Sequence, residues 1–328
     1  MDFSKRIGRL KKSAIFELDG YFVWCGTMTK GNDGLYYLYF SFWQKELGFD
    51  AWVTHSKVGY AVGKDPFGKM EYCGIALDGR GHGYWDGDCI HNPSVIRIDG
   101  KYYMYYTGNY GNGEYWDHRN HQRIGVAVAC DPRGPWKRFD APVMEVSPVG
   151  FDSLLTSNPS VTVTDEGKIV MIYKAVENNG NLPKGGAVVC GIATADSPIG
   201  PFTKSGKPIM VNPENEWSVE DAFIWFEKGR FYSLAKDFQG YFTKAGKNHA
   251  ALFESDNGFD WKLSDHPIGY LRGITTEDSE RLELLYMERP QIYIEDGKPL
   301  ALLCACMPMR DCETVPHSFN IRLALDQK

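Results

Sequence analysis

One phrase is repeated five times along this chain of 328 residues: a Gly in a polar turn, followed at once by a β-prone strand. The turn glycines are Gly34, Gly100, Gly167, Gly229 and Gly297. They recur with a nearly constant period of about 66 residues, so a single strand-rich unit tiles the whole length. Such a unit is too long for a solenoid coil and predicts an all-β, five-bladed β-propeller.

Each unit carries further strand signals in a fixed order. Before the turn glycine lies a short apolar strand opened by a polar pair, as in HNPSVIRI, SNPSVTVT, EDAFIWFE and ERPQIYIE. A third strand follows the Tyr-rich one and ends in a turn rich in Asp, Pro and Gly. These signals fit the four short strands of a propeller blade. The final strand, FNIRLAL, could either finish blade five or close the ring against blade one.

The composition is that of an ordinary globular protein, with 43% hydrophobic, 14% aromatic and 24% charged residues. No linker interrupts the repeats, so residues 1–328 are predicted to form one propeller domain. A net charge of −6, with no basic stripe beyond Lys5–Lys12, argues against a nucleic-acid partner. No run approaches the roughly 18 apolar residues of a membrane span, and no oligomeric state is indicated.

The start MDFSKRIGRLKKSAIF is basic, but no apolar segment of a signal peptide follows it. We therefore expect a cytoplasmic protein, since a secreted or periplasmic one would need a leader that has been removed. The eight cysteines form no CxxC pair. Cys130, Cys190 and Cys304 fall in apolar runs, so reduced packing thiols are predicted rather than a disulfide framework.

The mouth of the central channel is where chemistry is expected in such a ring. The first strand of each blade lines the channel, so the strand openings converge on one axial pocket. These openings are Asp19, His91–Asn92, Ser157–Asn158, Glu220–Asp221 and Glu288–Arg289. Several carboxylates in one pocket suit glycosidic hydrolysis, in which one carboxylic acid protonates the leaving oxygen while a carboxylate activates water or attacks the anomeric carbon.

A simpler interpretation places the same residues in ordinary turns. An Asp or Glu before a strand is commonly a solvated edge residue, and Asn-Pro pairs initiate turns in their own right. The recurrence of acids at equivalent positions of different repeats favours a shared site, because the ring brings these positions together.

Other residues near the openings are candidates for substrate contact. Three tryptophans could stack an indole face on a sugar or pack in the core: Trp24, Trp85 and Trp217. His91 is expected to contact substrate or channel water. Basic residues that follow or open inner strands, and could bind an anion, are Lys236, Arg289, Arg310 and His317.

No cofactor is expected. The insertion GRGHGYWDGDC before blade two could close part of the pocket. Its His82, Asp86 and Asp88, with His91, offer oxygen and nitrogen ligands, but their spacing follows no known metal motif. A structural cation in the central channel is left open.

In these motifs the chain resembles the five-bladed glycoside hydrolases, the superfamily that contains families 43, 32, 62, 68 and 117. The resemblance rests on DGKYYMYYT after an xNPSV strand and on the EDAFIW and ERPQIY motifs, and its repeats cover the full chain. The paired ED and ERPQ motifs are most similar to family 117 and its relatives. An oligosaccharide of plant or algal origin is the substrate that this resemblance implies.

Roles for individual residues follow from the resemblance to family 43, which implies that Asp19 is the general base and Glu220 the general acid. The Asp that tunes the acid from blade three is replaced by Asn158, so this role passes to Asp221. Family 117 implies a catalytic role for Glu288, but the His that precedes its ERP motif has no counterpart here. Whether Glu220 or Glu288 is the acid stays open.

Inversion is usual in both families, so the expected activity is an exo-acting, inverting glycoside hydrolase. One alternative is an inverting phosphorylase similar to family 130, in which basic residues hold phosphate in place of water. The other is a non-catalytic carbohydrate-binding propeller. Several crowded carboxylates argue against the latter, because a binding module has little need of groups that destabilise one another.

Overall fold

The structure is a computed structural model that describes residues 1–309 and 316–326. Its strands form five antiparallel sheets arranged around an axis, which confirms the predicted five-bladed β-propeller. Successive repeats form successive blades, and the innermost strands of neighbouring blades pack against one another.

The strands follow the repeats of the sequence. The chain begins with β1 (Ile15–Phe16), which belongs to the last blade. Blade one contains β2 (Tyr21–Lys30), β3 (Tyr36–Gln44), β4 (Lys57–Gly63) and β5 (Glu71–Leu77). Blade two contains β6 (Cys89–Ile98), β7 (Lys101–Asn109) and β8 (Arg123–Ala129). Blade three contains β9 (Leu155–Val163), β10 (Ile169–Val176), β11 (Val188–Ala195) and β12 (Thr203–Lys204).

The last two blades continue this order. Blade four contains β13 (Val219–Glu227), β14 (Arg230–Asp237), β15 (His249–Ser255) and β16 (Lys262–Tyr270). A small hairpin of β17 (Ile274–Thr275) and β18 (Arg281–Leu282) follows. Blade five contains β19 (Leu284–Glu295), β20 (Lys298–Pro308), β21 (Phe319–Ala324) and the N-terminal β1.

The ring is closed by the N-terminal segment. Strand β21 pairs with β20 on one side and with β1 on the other, so FNIRLAL finishes blade five instead of pairing with blade one. The buried guanidinium of Arg322 donates to the carbonyls of Ser13 and Ala14 and fixes this segment. The first and last repeats are therefore joined in one sheet.

The five repeated glycines make the turn between the first and second strand of each blade. Gly34, Gly100, Gly167, Gly229 and Gly297 have φ between 73° and 82°. A residue with a Cβ is strained in this left-handed region, which explains why Gly marks the period of the sequence.

Buried tyrosines tie neighbouring blades together. Tyr39 in blade one donates its hydroxyl to the carbonyl of Pro132, at 2.5 Å, in the turn that ends the third strand of blade two. Tyr105 makes the same bond to Pro198 of blade three, at 2.6 Å. The Tyr-rich strand and the Asp/Pro/Gly turn of the repeat thus form one contact between blades.

Helical segments are short. The 3-10 turns are Phe3–Arg6, Lys12–Ala14, Lys45–Leu47 and Phe49–Ala51. Two α-helices, α1 (Trp52–His55) and α2 (Tyr115–Asn120), lie in the β3–β4 and β7–β8 connections and contact each other. Among the described residues, no helix has the length and apolarity needed to cross a membrane.

The described cysteines are all free thiols. Cys190 and Cys304 are buried in strands, as predicted. The prediction for Cys130 is wrong, because β8 ends at Ala129 and Cys130 is exposed in the following turn. Cys312 lies outside the described residues.

The closure of blade five predicts a large stability effect at Ile321, which is fully buried and pairs with Ile15 of the N-terminal strand. Ile321→Ala leaves a cavity there and should lower the free energy of unfolding by about 2–5 kcal/mol. The matched control Ile75→Ala, at a site 48% exposed, should change it by less than about 1 kcal/mol. Chemical denaturation measures both, and equal losses would contradict this account of the closure.

Candidate functional site

A β-bulge interrupts the innermost strand of every blade. At each bulge one residue has φ between 53° and 57°: Cys25, Asn92, Asn158, Asp221 and Arg289. Asn and Asp tolerate this left-handed conformation better than other residues with side chains. Pro follows three of the five, and Pro, which lacks an N–H donor, is accommodated in a sheet at bulges. The xP pairs of the sequence therefore mark bulges within inner strands.

The five bulged side chains form a buried hydrogen-bonded arc around the axis. The Cys25 thiol donates to Asn92 Oδ1 at 2.8 Å, and Asn92 Nδ2 donates to Asn158 Oδ1 at 2.5 Å. Asp221 Oδ1 then accepts from Asn158 Nδ2 at 2.9 Å and from Arg289 Nη1 at 3.0 Å. Burial raises the pKa of the Cys25 thiol to about 12, so this donor stays protonated. We call this set the axial arc.

A cavity of about 240 Å³ lies over the axial arc. Its walls come from the residues that precede the bulges, from the second strands and from the α1 and α2 connections. Aromatic rings make up much of the wall: Trp24, Trp43, Phe49, Trp52, Tyr115, Trp116 and Trp217. Its polar groups include the carboxylates of Glu220, Asp221 and Glu288.

Glu220 is held by two lysines. Lys174 and Lys236 occupy the second-strand positions opposite Ser157 and Glu220 in blades three and four. Lys174 Nζ contacts Glu220 Oε1, and Lys236 Nζ lies 2.8 Å from Glu220 Oε2. Burial alone would raise the pKa of Glu220, but the two ammonium groups outweigh it and hold that pKa well below its ordinary value. Glu220 is therefore ionised.

Glu288 has the opposite electrostatic environment. Its Oε1 lies 3.2 Å from Lys236 Nζ, and its side chain is 13% exposed. Burial raises the pKa of Glu288; Lys236 opposes this rise, and the negative charges of Asp221 and Glu220 add to it. When the pKa values of two neighbouring carboxyls differ in this way, one carboxyl can act as a proton donor while the other stays ionised.

The two glutamates are close together. Glu220 Oε2 and Glu288 Oε1 both contact Lys236 Nζ, at 2.8 and 3.2 Å, so the gap between these oxygens cannot exceed the sum of the two distances. Lys236 itself lines an adjoining shallow cleft that also contacts Glu288 and Trp217. Lys236 was predicted to bind substrate; in the structure it forms ion pairs with both carboxylates.

The prediction that Asp19 lies in the axial pocket is wrong. Asp19 is exposed in the turn before β2 and is absent from the lining of the cavity. The bulge of blade one falls instead at Trp24–Cys25, with Trp24 opposite Ser41. Trp24 thus takes the place that Glu220 and Glu288 take in blades four and five. Blade one contributes an indole to the cavity and no carboxylate.

Several predicted contacts are at the cavity. Trp24, Trp217, His91, Asn92, Asn158 and Arg289 line it. His91 packs edge-on against Trp52 at 5.1 Å, and its ring lies 3.2 Å from Gln122 Nε2. Burial lowers the pKa of His91 to about 3, so this imidazole is neutral. Asn92, Asn158 and Arg289 contribute through the axial arc.

Two predicted substrate contacts are not at the cavity. Trp85 stacks on Tyr106 at 5.7 Å and fills the space left by Gly108 and Gly125, so its indole packs within blade two. His317 contacts Phe319 and does not line the cavity. Arg310 lies outside the described residues.

The candidate metal ligands of the blade-two insertion do not converge. His82 is exposed, whereas Asp86 is fully buried and accepts hydrogen bonds from Arg80 at 2.6 Å and Tyr106 at 2.8 Å. Asp86 therefore organises the insertion through arginine and tyrosine. Within the part of the chain that the structure describes, no cluster of His, Cys, Asp or Glu has the arrangement of a metal site.

Other pocket residues were not predicted. Lys174 ends the Tyr-rich phrase of blade three as Lys236 does that of blade four, so the repeat contains a signal for it. The loop residues carry no such signal, because they belong to the β3–β4 and β7–β8 connections, whose sequences the repeat does not share: Trp52, Tyr115, Trp116 and Arg119.

Solved structures that match this fold include glycoside hydrolases. A family 117 glycoside hydrolase from the marine bacterium Zobellia galactanivorans matches with a TM-score of 0.67 and 20% identity, over 98% of this chain and 89% of that one. A thermostable family-43 glycoside hydrolase gives 0.62 and 14%, over 93% and 89%. An exo-1,5-alpha-L-arabinanase from a bovine ruminal metagenomic library gives 0.60 and 14%, over 96% and 99%.

No protein-family model and no curated protein sequence matches the chain. The predicted resemblance to families 117 and 43 is confirmed at the level of the fold.

The shared lysine predicts a stability effect that depends on pH. Lys236→Met removes the lysine contact of Glu288 and leaves Glu220 with Lys174 alone, so it should destabilise the protein at pH 8 by about 3–5 kcal/mol. Burial already raises the folded-state pKa of Glu288, and loss of the opposing Lys236 raises it further above the unfolded value. Stability should therefore recover as the pH falls to 5 and Glu288 takes up a proton. Urea denaturation across this range measures the effect.

The matched control for this prediction is the double variant Lys236→Met/Glu288→Gln. A neutral amide at position 288 removes one unpaired charge, so the double variant should regain part of the stability at pH 8. Equal stability of the single and double variants, with no dependence on pH, would contradict the ion cluster.

Proposed function

We propose that the protein is a glycoside hydrolase that releases one sugar at a time from the end of an oligosaccharide. The observation that carries this proposal is the pair of adjacent carboxyls of Glu220 and Glu288, whose side chains are only 14% and 13% exposed and whose pKa values are shifted in opposite directions. They lie in an aromatic-walled cavity on the axis of a fold shared with glycoside hydrolases. A proton donor beside an ionised carboxylate is what glycosidic cleavage requires.

The size of the cavity supports removal of a single terminal sugar. Its volume of about 240 Å³ is below the range of about 300–1,000 Å³ that is typical of pockets for larger ligands. Trp24 and Trp217 stand among its walls and offer faces for the apolar side of a sugar ring. An endo-acting enzyme would need a longer cleft with several sugar positions.

Glu288 is assigned as the general acid and Glu220 as the nucleophile. The Glu288 proton passes to the glycosidic oxygen as the bond from that oxygen to the anomeric carbon breaks, while Glu220 forms a bond to the anomeric carbon. Water then attacks this carbon and gives a proton to the Glu288 carboxylate, and the bond to Glu220 breaks. Glu220 and Glu288 return to their starting states, and one water molecule is consumed.

The spacing favours retention of configuration over the inversion that the family resemblance implies. Carboxyls of retaining enzymes lie about 5–5.5 Å apart, and those of inverting enzymes about 6.5–9.5 Å apart. The Glu220 and Glu288 oxygens that share Lys236 are separated by no more than the sum of 2.8 and 3.2 Å, and this close approach supports the shorter spacing. A carboxylate has about four lone-pair directions, so Glu220 can bind both lysines and still attack carbon.

The alternatives are distinguished by one screen. Turnover of aryl glycosides and plant or algal oligosaccharides is measured with and without inorganic phosphate. Hydrolysis that is independent of phosphate supports the proposal, and formation of a sugar phosphate would favour a phosphorylase. Tight sugar binding without any turnover would favour a carbohydrate-binding propeller.

The role of Glu288 predicts a leaving-group signature. Glu288→Gln cannot donate a proton, so turnover of natural glycosides should fall by about 10²–10⁴-fold. Aryl glycosides with acidic phenols need little protonation and should lose far less activity. The control Glu220→Gln should slow both substrate types similarly in the bond-breaking step. A leaving-group dependence that appears in Glu220→Gln instead would reverse the assignment.

A further inference from the structure

One cation at the cavity has no carboxylate partner among the described residues. Arg119, on α2, lines the cavity and is only 7% exposed. Its Nη1 donates to Asn120 Oδ1 at 2.9 Å and to the Lys184 carbonyl at 2.8 Å. Within residues 1–309 and 316–326, its Nε and Nη2 form no hydrogen bond, and no Asp or Glu oxygen lies within ion-pair distance of the guanidinium.

The other three cations of the site are compensated. Lys174 and Lys236 contact Glu220, and Arg289 lies 3.0 Å from Asp221. Four cations thus face the three carboxylates of Glu220, Asp221 and Glu288. When Glu288 carries the proton that it needs as an acid, four cations face two anions. In that protonation state the charged groups described at the site carry a net positive charge, although the whole chain has a net charge of −6.

A buried charge without a counter-ion is unfavourable. Burial lowers the pKa of the Arg119 guanidinium, although Tyr115 and Glu220 oppose the effect. An anion bound beside Arg119 would supply the missing counter-charge. The free Nε–Nη2 edge of a guanidinium presents two parallel N–H groups, which match the two oxygens of a carboxylate. Trp116 lies over the guanidinium at 5.4 Å and restrains its plane.

We infer that the sugar bound in this cavity is acidic, a uronic acid whose ring carboxylate binds the Nε–Nη2 edge of Arg119. The inference rests on the proposed glycosidase function, since it identifies the class of sugar that occupies the same cavity. Arg119 then selects the substrate, while Glu220 and Glu288 act on the glycosidic bond. The α2 insertion carries this specificity, because no other described insertion supplies an arginine to the cavity wall.

Binding measurements test the inference separately from catalysis. Calorimetry with the Glu288→Gln protein compares D-glucuronate, D-galacturonate, D-mannuronate and L-iduronate with their neutral sugars. At least one uronate should bind more tightly than its neutral counterpart, by on the order of tenfold to 100-fold. Introducing Arg119→Gln into the Glu288→Gln protein should abolish this preference. Arg119→Lys keeps the positive charge but lacks the two parallel N–H groups, so it should retain part of the preference.

The matched control is Arg133→Gln, at an exposed arginine that is paired with Asp131 away from the cavity. It should leave the preference for the uronate unchanged. Thermal denaturation establishes that each variant is folded. A preference that survives in folded Arg119→Gln would overturn the inference, as would binding of sulphated sugars with no binding of any uronate.

Hydrolysis separates failure of this inference from failure of the proposed function. Cleavage of neutral aryl glycosides in preference to the matching uronides would overturn the acidic-sugar inference and leave the glycosidase proposal standing. Uronate binding that requires Arg119, with no hydrolysis of any glycoside by the wild-type protein, would support the sugar class and overturn the glycosidase proposal.

Discussion

The shared contact of the Lys236 ammonium with Glu220 and Glu288 is the interaction on which the rest of the site depends. A buried ammonium between two carboxylates lets both acids exist in a cavity that is largely shielded from water. With Lys174 it also makes their environments unequal, because among the described residues Glu220 contacts two cations and Glu288 contacts one. Unequal contacts, rather than unequal residue types, thus lower the pKa of Glu220 and leave that of Glu288 raised.

The axial arc makes that geometry rigid. Each bulge turns a side chain towards the axis, and bonds between blades fix the bulged backbone. The Asn92 N–H donates to Ser41 Oγ of blade one, and the Asn158 N–H donates to Thr107 Oγ1 of blade two, both at 3.0 Å. Asp221 is held between Asn158 and Arg289. The carboxylates therefore stand on a floor whose residues belong to all five blades, which favours a preorganised site.

Much of this arrangement could be predicted from the sequence. The period of the turn glycines reflects a backbone requirement, so it indicates both the number of blades and their first two strands. The polar pairs at Glu220 and Glu288 stand at the bulges because the same repeat places them there. Asp19 has the charge of a catalytic residue but not the right position in the repeat. Trp24 precedes His91 by one period of the repeat, whereas Asp19 lies earlier in the chain than that period allows.

The remainder depends on three-dimensional contacts. The proposed assignment of the acid depends on how many lysines reach each glutamate, and spacing along the chain does not encode that number. Lys174 is present in the repeat pattern, but only the pairing of β9 with β10 shows that it faces the axis. Arg119 lies in the β7–β8 connection, whose sequence is not shared by the equivalent connections of the other blades, so no periodic argument could find it.

The protonation states of the two glutamates test the central claim most directly. Carboxyl carbon NMR of protein labelled at glutamate, with Glu220→Gln and Glu288→Gln used for assignment, follows both groups as the pH is changed. The account predicts that Glu288 titrates above the ordinary glutamate pKa of about 4.3, and that Glu220 stays ionised well below it. A Glu220 carboxyl that takes up its proton at higher pH than Glu288 would contradict the account.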